Sequence, residues 1–347
     1  MSGTHKEVTI YDIAEALSLS PATISRGLKD HPAIRKDTRK RILDKAREMG
    51  YQQNMFASNL RRSRTNTIGV IVPRLNSYFM SFVIAGMEKV ANAAGYNLII
   101  SQSAESVKKE ETNVRTLYNS RVDGLLVSVA YDSESLSHFS LFLDKNIPLI
   151  FFDRVLDHPQ CTSLVIDNYK AAYEVTTHLI RQGSTRIVHL TAQSKGAVYA
   201  DRLRGYQQAL RDNNLAFDES MVLAGNLSDQ AGAEAARAIL AMKPLPDGVF
   251  SANDSCAVSC LRALKQAGIK IPEQIAIAGF NNDPISKVVE PNLTTVNYPG
   301  EEMGELAAST LIRRLDRLEG ASLNTIVLRH ELIVRDSTLR KSPDQNG

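Results

Sequence analysis

The first fifty residues of the chain carry apolar side chains at helical spacing in three short runs. In the first run they recur at i, i+3, i+4 and i+7: Ile10, Ile13, Ala14 and Leu17. Ser20 followed by Pro21 favours a second helix start, because the serine oxygen accepts a backbone N–H and proline has none to satisfy. Asp37 is the expected N-cap of a third helix, and Gly50 its stop. The pattern predicts a helix, a tight turn, a second helix and a supporting third helix.

Residues 51–65 predict a weaker element. Asn54 can cap a short helix that carries Ala57 and Leu60, but a helix of fewer than about 12 residues is marginal on its own. Leu60 is followed at once by two arginines. This combination fits either an apolar wedge between base pairs, with the cations on the flanking phosphates, or a flexible basic linker.

From Asn66 onward, short β-rich apolar runs alternate with amphipathic stretches of helical length. The apolar runs are TIGVIV, NLIISQ, DGLLVSV, PLIFFD, SLVID, RIVHLT, MVLAG, GVFSA, IAIAGF and LTTVNY. Strands and helices in alternation predict parallel sheets covered by helices on both faces, and about ten strands favour two open, doubly wound α/β subdomains over one sheet. A ligand is expected in the crevice between the subdomains, at the carboxyl ends of the strands.

These patterns divide the chain into three parts and a polar tail. We expect a helix-turn-helix domain over residues 1–53, a hinge helix and linker over 54–65, an α/β core over 66–340 and the tail over 341–347. Within the core, we assign residues 66–165 and 297–324 to the first subdomain, and residues 166–292 and 325–340 to the second.

The net charge of +3 hides an asymmetry along the chain. Residues 1–65 hold 13 Lys/Arg and 7 Asp/Glu, a net +6, whereas residues 66–347 hold 28 and 31, a net −3. A basic head on a slightly acidic body is typical of a nucleic-acid binder with a second function. Three cysteines fit a reducing cytosol, and the sequence shows neither a signal peptide nor an apolar stretch of about 20 residues. We therefore expect a cytoplasmic protein without a membrane partner.

The predicted second helix presents small side chains and no acid to solvent. Pro21 and Ala22 can touch a thymine methyl in the major groove, and Arg26 can form two parallel hydrogen bonds with a guanine. The hydroxyl groups that can donate to phosphates, and so fix the register, belong to Ser20, Thr23 and Ser25. The alternative is a three-helix bundle that only packs. The missing acids and the basic run RKDTRKR that follows favour DNA binding.

Polar side chains follow several predicted strands at the end where a ligand would bind. They are Asp153 and Arg154 after PLIFF, Asn253 after GVFSA, Asn281 after IAIAG, and Arg202 at the start of the helix after RIVHLT. Forked Arg, Asp and Asn side chains offer paired hydrogen bonds to the hydroxyls of a polyol. For each residue taken singly, a turn or a helix cap is the favoured interpretation. Their recurrence at successive strand ends predicts a binding site.

Motifs of nucleotide-dependent and metal-dependent enzymes are absent from the sequence. Neither G-x-G-x-x-G nor G-x-x-x-x-G-K-[ST] occurs, and RHELIV lacks the second histidine of a zinc-protease motif. Cys256 and Cys260 lie four residues apart on a predicted helix, where ordinary packing is favoured over a metal site, and His178 and His189 are expected to be structural. We expect no cofactor, no metal and no enzymatic activity.

Over nearly its whole length, the sequence resembles the LacI/GalR family of bacterial transcription regulators. The resemblance lies in VTIYDIAEALSLSPATISRGL, TRKRILDKAREMGYQQN, NMFASNLRR, TNTIGVIVP, DRLRGYQQAL, SANDS and GFNNDP…PNLTTV. It implies a homodimer that binds near-palindromic operator DNA through two heads and two hinge helices. It also implies a core built like periplasmic sugar-binding proteins that binds a small-molecule effector, so that effector-driven closure of the core changes the spacing of the hinge helices.

Matched residue by residue, the resemblance assigns functional roles. The base-reading positions are Pro21, Ala22 and Arg26, and the positions at the DNA backbone are Tyr11, Ser20, Thr23, Ser25, Thr38, Tyr51 and Asn54. The intercalating leucine is Leu60, supported by Ala57. The effector positions are Tyr78, Phe79, Asp153, Arg202, Asn253 and Asn281. Two residues depart from the family pattern: Asn281 stands where many members have an acid, and Leu227 where well-known members have an aromatic residue.

The sequence thus predicts a ligand-responsive, sequence-specific DNA-binding repressor that senses a sugar or a sugar derivative. The amide of Asn281 can bind a sugar hydroxyl, whereas a cationic or purine effector would lose its anionic partner there. The short polar tail has no heptad run, which favours a dimer over a tetramer. Two rival interpretations are a solute receptor of the periplasmic type, which needs no head, and a Rossmann-like enzyme, which needs a phosphate loop or a catalytic pair.

Overall fold

The computed structural model of the chain describes residues 8–51, 64–193, 197–316 and 324–340. The chain forms two compact units, Met1–Thr65 and Asn66–Gly347. No helix in the described part of the chain is both long enough and apolar enough to cross a bilayer.

The first unit contains three helices, α1 (Ile10–Leu17), α2 (Pro21–Leu28) and α3 (Lys36–Glu48). Helix α1 begins with a capping box, in which Asp12 accepts the N–H of Thr9 at 2.6 Å. Ser20 caps α2 as predicted, since its hydroxyl oxygen accepts the N–H of Thr23 at 3.1 Å. The prediction for α3 was wrong by two residues: Arg35 precedes the helix without a side-chain cap, and Asp37 lies in the first turn, where its charge favours the helix dipole.

A small apolar cluster formed by the helices themselves holds this unit together. Ile13, Ile24 and Ile42 are fully buried at its centre. Gly27 interrupts α2, although glycine inside a helix costs about 1 kcal/mol relative to alanine. A Cβ atom at this position would lie 2.5 Å from Cδ1 of Ile42. The glycine therefore allows α2 to pack closely against α3.

The second unit alternates strands and helices over most of its length. In chain order its elements are β1 (Thr67–Val72), α4 (Tyr78–Ala93), β2 (Asn97–Gln102), α5 (Val107–Asn119), β3 (Gly124–Val127), α6 (Ser140–Leu143), β4 (Leu149–Phe152), β5 (Thr162–Ile166), α7 (Asn168–Arg181), β6 (Ile187–Ala192), α8 (Ala197–Asp212), β7 (Val222–Gly225), α9 (Asp229–Ala241), β8 (Gly248–Ser251), α10 (Asp254–Gln266), β9 (Ala276–Asn281), β10 (Thr294–Asn297), α11 (Gly300–Leu315), β11 (Thr325–Leu328) and β12 (Glu331–Ile333). Within the described residues, β4–β5, β9–β10 and β11–β12 follow one another without an α-helix between them. The bounds of the ten predicted strands agree with these to within two residues.

The strands form two sheets of six. The first has the order β11-β5-β4-β3-β1-β2, and the second has the order β12-β10-β9-β8-β6-β7. All pairings are parallel except that of β10 with β12. The predicted fold, an all-helical N-terminal unit followed in the chain by two parallel α/β subdomains, is confirmed.

The last strands of the chain belong to different subdomains from those that the sequence predicts. We had placed residues 325–340 in the second subdomain, but β11 pairs in parallel with β5, which puts it at the edge of the first sheet. Residue 297 was assigned to the first subdomain, yet it ends β10, which lies between β9 and β12 in the second sheet. The chain therefore crosses between the sheets three times: after β5, after β10 and after β11.

Helices α4 and α11 pack together in the first subdomain with their backbones in direct contact. A Cβ atom on Gly304 would lie 2.0 Å from the carbonyl oxygen of Val83, and one on Gly86 would lie 2.1 Å from that of Glu301. Only glycine fits at these two positions without separating the helices. Lys89 and Glu305 add an ion pair of 2.6 Å on the exposed side of the same contact.

Cys256, Cys260 and His189 pack inside the core, whereas His178 is half-buried, with its Nε2 2.8 Å from Thr338 Oγ1. Cys256 and Cys260 are buried in α10 and face the apolar cluster beneath it. His189 is fully buried between the rings of Tyr206 and Phe250, and burial lowers its pKa to about 4. Within the described residues, no three His, Cys, Asp or Glu side chains come together as a metal site would require.

Candidate functional site

The exposed side of α2 carries the side chains predicted to reach DNA. Ala22 and Arg26 are exposed one turn apart, while Pro21, Thr23 and Ser25 are half-buried. No ion pair among the described residues involves Arg26, whereas Arg39 of α3 is held by Asp30 at 2.6 Å. The other residues predicted to touch the DNA backbone differ in exposure. Tyr11 is exposed, and Thr38 and Tyr51 are half-buried. The hinge residues Asn54, Ala57 and Leu60 lie outside the described part of the chain.

Between the two subdomains lies a cleft of about 500 Å³ at the carboxyl ends of the strands. It is lined by all six residues predicted for the effector: Tyr78, Phe79, Asp153, Arg202, Asn253 and Asn281. Tyr78 and Phe79 begin α4 in the first subdomain, and Arg202 lies in α8 of the second. Side chains that are far apart in sequence thus meet around one space that is large enough for a small molecule.

Asp153 provides a buried carboxylate in the wall of the first subdomain. It follows β4 with a left-handed φ of 59°. Its carboxylate accepts hydrogen bonds from Ser128 Oγ at 3.2 Å and from Tyr298 Oη at 3.1 Å. Burial and the neighbouring carboxylate raise the pKa of Tyr298, so that its hydroxyl stays protonated as the donor. The Tyr298 ring stacks on Phe79 with 4.2 Å between centroids, so Phe79, Tyr298 and Asp153 contact one another in that order along this wall.

Arg202 is the buried cation of the opposite wall. Its Nε donates to Oδ1 of Asn168 at 2.9 Å and its Nη1 to the carbonyl of Ala252 at 2.8 Å. The guanidinium carbon lies 3.6 Å from the centroid of Phe280, the distance of a close cation–π contact. No carboxylate of the described residues forms an ion pair with it. The group is rigidly held, and its other N–H groups are available to a ligand.

The two asparagines differ in the hydrogen-bonding capacity that they keep. Asn253 caps α10, with Oδ1 accepting the N–H of Cys256 at 2.8 Å and Nδ2 donating to the carbonyl of Leu227 at 2.9 Å. Most of its amide is therefore committed to the fold. Asn281 ends β9 at a φ of 111°, an uncommon value for a residue other than glycine. Its side chain is hydrogen-bonded to the carboxyl group of Asp283. This bond lowers the pKa of Asp283, but burial raises it by more.

The cleft also contains residues that sequence reasoning missed, and Glu105, Tyr131 and Tyr199 are the most informative of them. Glu105 accepts from Arg154 Nη1 at 2.7 Å and pairs with Arg74 at 3.3 Å, which gathers two cations around one carboxylate. Tyr131 and Tyr199 also line the cleft. Tyr199 lies three residues before Arg202 in α8, so helical spacing could have found it. Glu105 and Tyr131 lie in loops with no periodic pattern to mark them.

Two buried carboxyl groups support the floor of the cleft. Asp254 accepts the N–H of Asp283 and the hydroxyl of Thr295, both at 2.7 Å. Burial raises the pKa of Asp254 well above its usual value and raises that of Asp283 to about 6. At least one proton is therefore held by this pair at mildly acidic pH.

We expect the titration of Asp283 to make the core less stable as the pH rises through 6. Its folded pKa of about 6 exceeds the ordinary value of 3.8, so the folded state binds more protons between pH 4 and 6. The free energy of unfolding should therefore rise as the pH falls through this window, by at most about 3 kcal/mol. Urea unfolding of Asp283→Asn between pH 4 and 7.5 should show a flatter profile than that of the wild type. The exposed control Asp144→Asn should keep the wild-type profile; a variant at Asp283 that also keeps it would contradict the assignment.

Comparisons with known proteins agree with this architecture. Residues 9–54 match the family of bacterial regulatory proteins, lacI family, and residues 176–338 match the periplasmic binding protein-like domain. The transcriptional regulator RegA of Clostridium saccharobutylicum is 31% identical over 95% of this chain and 99% of its own length.

Two solved structures extend the comparison over both units. The complex of the transcriptional regulator CelR with cellobiose is 25% identical, covers 95% of this chain and 100% of its own, and has a TM-score of 0.72. The lac repressor dimer bound to operator and the anti-inducer ONPF covers 96% and 100%, with a TM-score of 0.84; at 23% identity it shows the shared fold. Taken with the identity to RegA, these matches establish that the chain belongs to the LacI family of bacterial transcription regulators and is not an enzyme.

Proposed function

We propose that this regulator is a dimeric repressor whose operator affinity is set by a sugar or sugar derivative bound in the cleft. The observation that carries the proposal is the convergence of forked polar side chains, Asp153 and Arg202, with aromatic rings around one space between the subdomains. Each fork can hold two neighbouring hydroxyls of a polyol, and an aromatic face can pack against the C–H face of a sugar ring.

The balance of charge in the cleft favours a neutral effector. Arg74 and Arg154 share the carboxylate of Glu105, and Asp153 adds a second carboxylate that acts on both Arg154 and Arg202. Asp283 adds a further acid to the lining. A phosphate group would meet these carboxylates and find one cation, Arg202, without an ion-pair partner among the described residues. The CelR relative solved with cellobiose supports a neutral sugar as the class.

The DNA-binding surface proposed for the head is the acid-free side of α2. Arg26 and Ala22 would face base edges, with Pro21 beside them, and the hydroxyl groups of Ser20, Thr23 and Ser25 would face phosphates. Tyr11, Thr38, Tyr51 and Asn54 would flank them at the backbone. We propose Leu60, with Ala57, as the residue that wedges into the minor groove.

The dimer proposed here would use an apolar surface of the first subdomain. Phe82 of α4 and Ile99 and Ile100 of the edge strand β2 are each about two-fifths exposed. Exposed apolar side chains on an edge strand and on the helix that contacts it favour burial against a partner. The lac repressor, which shares the fold, was solved as a dimer on its operator.

A thermal-shift panel on the full chain tests the effector class. We propose D-ribose, D-glucose, cellobiose, D-glucose 6-phosphate and adenine as the compounds. A ligand that binds only the folded state at about 100 times its Kd should add about 2.7 kcal/mol to the free energy of unfolding. We expect at least one neutral sugar to raise the Tm, and its phosphate ester not to do so. A rise with adenine or the phosphate alone would overturn the proposal.

A further inference from the structure

The loop after β3 is fastened to α5 on both sides of Tyr131. The N–H of Ala130 donates to Glu110 Oε2 at 2.7 Å, and the hydroxyl of Ser133 donates to Glu110 Oε1 at 2.5 Å. Asp132 accepts the first N–H of α5 at 2.7 Å. Glu110 is fully buried. The first subdomain therefore presents Tyr131 from a backbone that is anchored before and after it.

Tyr131 meets Tyr199 across the cleft. Their hydroxyl oxygens lie 3.2 Å apart, and their rings lie edge to face, with 5.6 Å between centroids and 66° between planes. This is a favourable geometry for two aromatic rings. Tyr131 belongs to the first subdomain and Tyr199 to α8 of the second, so their contact joins the subdomains directly at the wall of the cleft.

An arginine supports each of the two rings. The guanidinium carbon of Arg154 lies 3.9 Å from the centroid of Tyr131, and that of Arg202 lies 5.5 Å from the centroid of Tyr199. Arg154 is itself fixed by Glu105 at 2.7 Å. Burial raises the pKa of Tyr131, so its hydroxyl stays protonated as a hydrogen-bonding group. The contact thus extends from the rigid loop of one subdomain to the buried cation of the other.

We propose that Tyr131 and Tyr199 form a closure pair, which encloses the effector when the subdomains close and limits it to a compact polyol. The two rings part for the ligand to enter or leave. A ligand too long for the cleft keeps the hydroxyl groups of Tyr131 and Tyr199 apart, so the contact between the subdomains does not form. The pair is a positioning and specificity element; the class of its ligand rests on the proposed function, whereas the contact itself does not.

The first test detects the contact without any ligand. Brief photo-oxidation of the full-length protein couples neighbouring tyrosines into dityrosine, and mass spectrometry of the peptides identifies the partners. We expect a Tyr131–Tyr199 cross-link in the wild type and in the control Tyr173→Phe, whose hydroxyl bonds to Asp212 on the surface. Absence of this cross-link from both proteins would overturn the closure pair.

The second test measures coupling between the two hydroxyl groups. Wild type, Tyr131→Phe, Tyr199→Phe and the double variant are titrated with whichever of D-ribose and D-glucose raises the Tm of the wild type; a rise with cellobiose alone would refute the limit to a compact polyol. We expect each single variant to raise Kd about three- to tenfold, the double variant to lose no more than either single one, and Tyr173→Phe to bind normally. Additive losses, or unchanged Kd values, would refute the pair even if the cross-link forms.

The two tests separate this proposal from the proposed function. If no sugar of the panel binds the wild type, the sugar class fails, and the cross-link alone decides whether the closure pair exists. If a sugar binds and the variants behave independently, the proposed function stands and the closure pair does not. Circular dichroism and the Tm of the ligand-free variants, expected to match the wild type, distinguish loss of the contact from loss of the fold.

Discussion

Arg202→Ala is expected to abolish the response to the effector and to leave operator binding in place. The guanidinium is held from behind by Asn168, Ala252 and the ring of Phe280, so its remaining N–H groups are fixed in the cleft. A hydrogen bond to a charged group contributes about 1.5–3 kcal/mol, so the loss of two, about 3–6 kcal/mol, should weaken effector binding by roughly 10²- to 10⁴-fold. Operator DNA selected on the wild-type protein serves for gel shifts with and without the effector sugar.

Two variants on the same helix control for this result. Arg204→Ala removes an exposed arginine that pairs with Asp201 and lies over the ring of Tyr169, and it should respond to the effector as the wild type does. Arg202→Lys keeps the charge but not the fork, and we expect it to recover only a small part of the affinity. A normal effector response in Arg202→Ala would place the binding site elsewhere. Loss of operator binding in that variant would instead indicate a damaged core.

Ala22→Glu should nearly eliminate DNA binding. Ala22 is exposed in the first turn of α2, on the acid-free side that we propose enters the major groove. A carboxylate there would be desolvated among phosphates, and like-charge contacts at an interface cost several kcal/mol. We expect specific binding to fall on the order of 100-fold, with a larger loss at low salt, where the phosphates are screened less.

The matched control for this variant is Ala238→Glu, which makes the same charge change on the exposed side of α9 in the core. It should bind DNA like the wild type. Equal losses in both variants would show that net charge, rather than the surface of α2, governs binding. Full operator binding by Ala22→Glu would remove α2 from the interface. Thermal melts of both variants should match the wild type, because both sites are exposed.

The order of elements was predictable because the spacing of apolar residues differs between strands and helices. This spacing does not show which strand pairs with which. Thr325–Leu328 and Glu331–Ile333 are two short runs separated by two residues, and nothing in their composition shows that the first completes one sheet and the second the other. Strand pairing depends on which edges the rest of the fold leaves open, and the edges of β5 and β10 were the ones available.

The location of the cleft was predictable, whereas the hydrogen bonds that its side chains form were not. Asn253 was expected to bind the effector, but Asn after a strand is also a helix cap, and the structure commits both ends of its amide to the fold. Tyr131 has no periodic neighbours, and its position depends on a buried carboxylate 21 residues earlier in the chain, Glu110. Contacts made through loops of this kind appear only when the tertiary structure is known.

The position of β11 and β12 near the end of the chain has a consequence for biosynthesis. The first sheet lacks β11 until residue 328 has left the ribosome, and the second lacks β12 until residue 333 has done so. The head, in contrast, draws its described apolar cluster from residues 8–51 and can fold while the rest is still being made. A message cut short before codon 325 would therefore encode a complete reading head attached to an unfinished sensor.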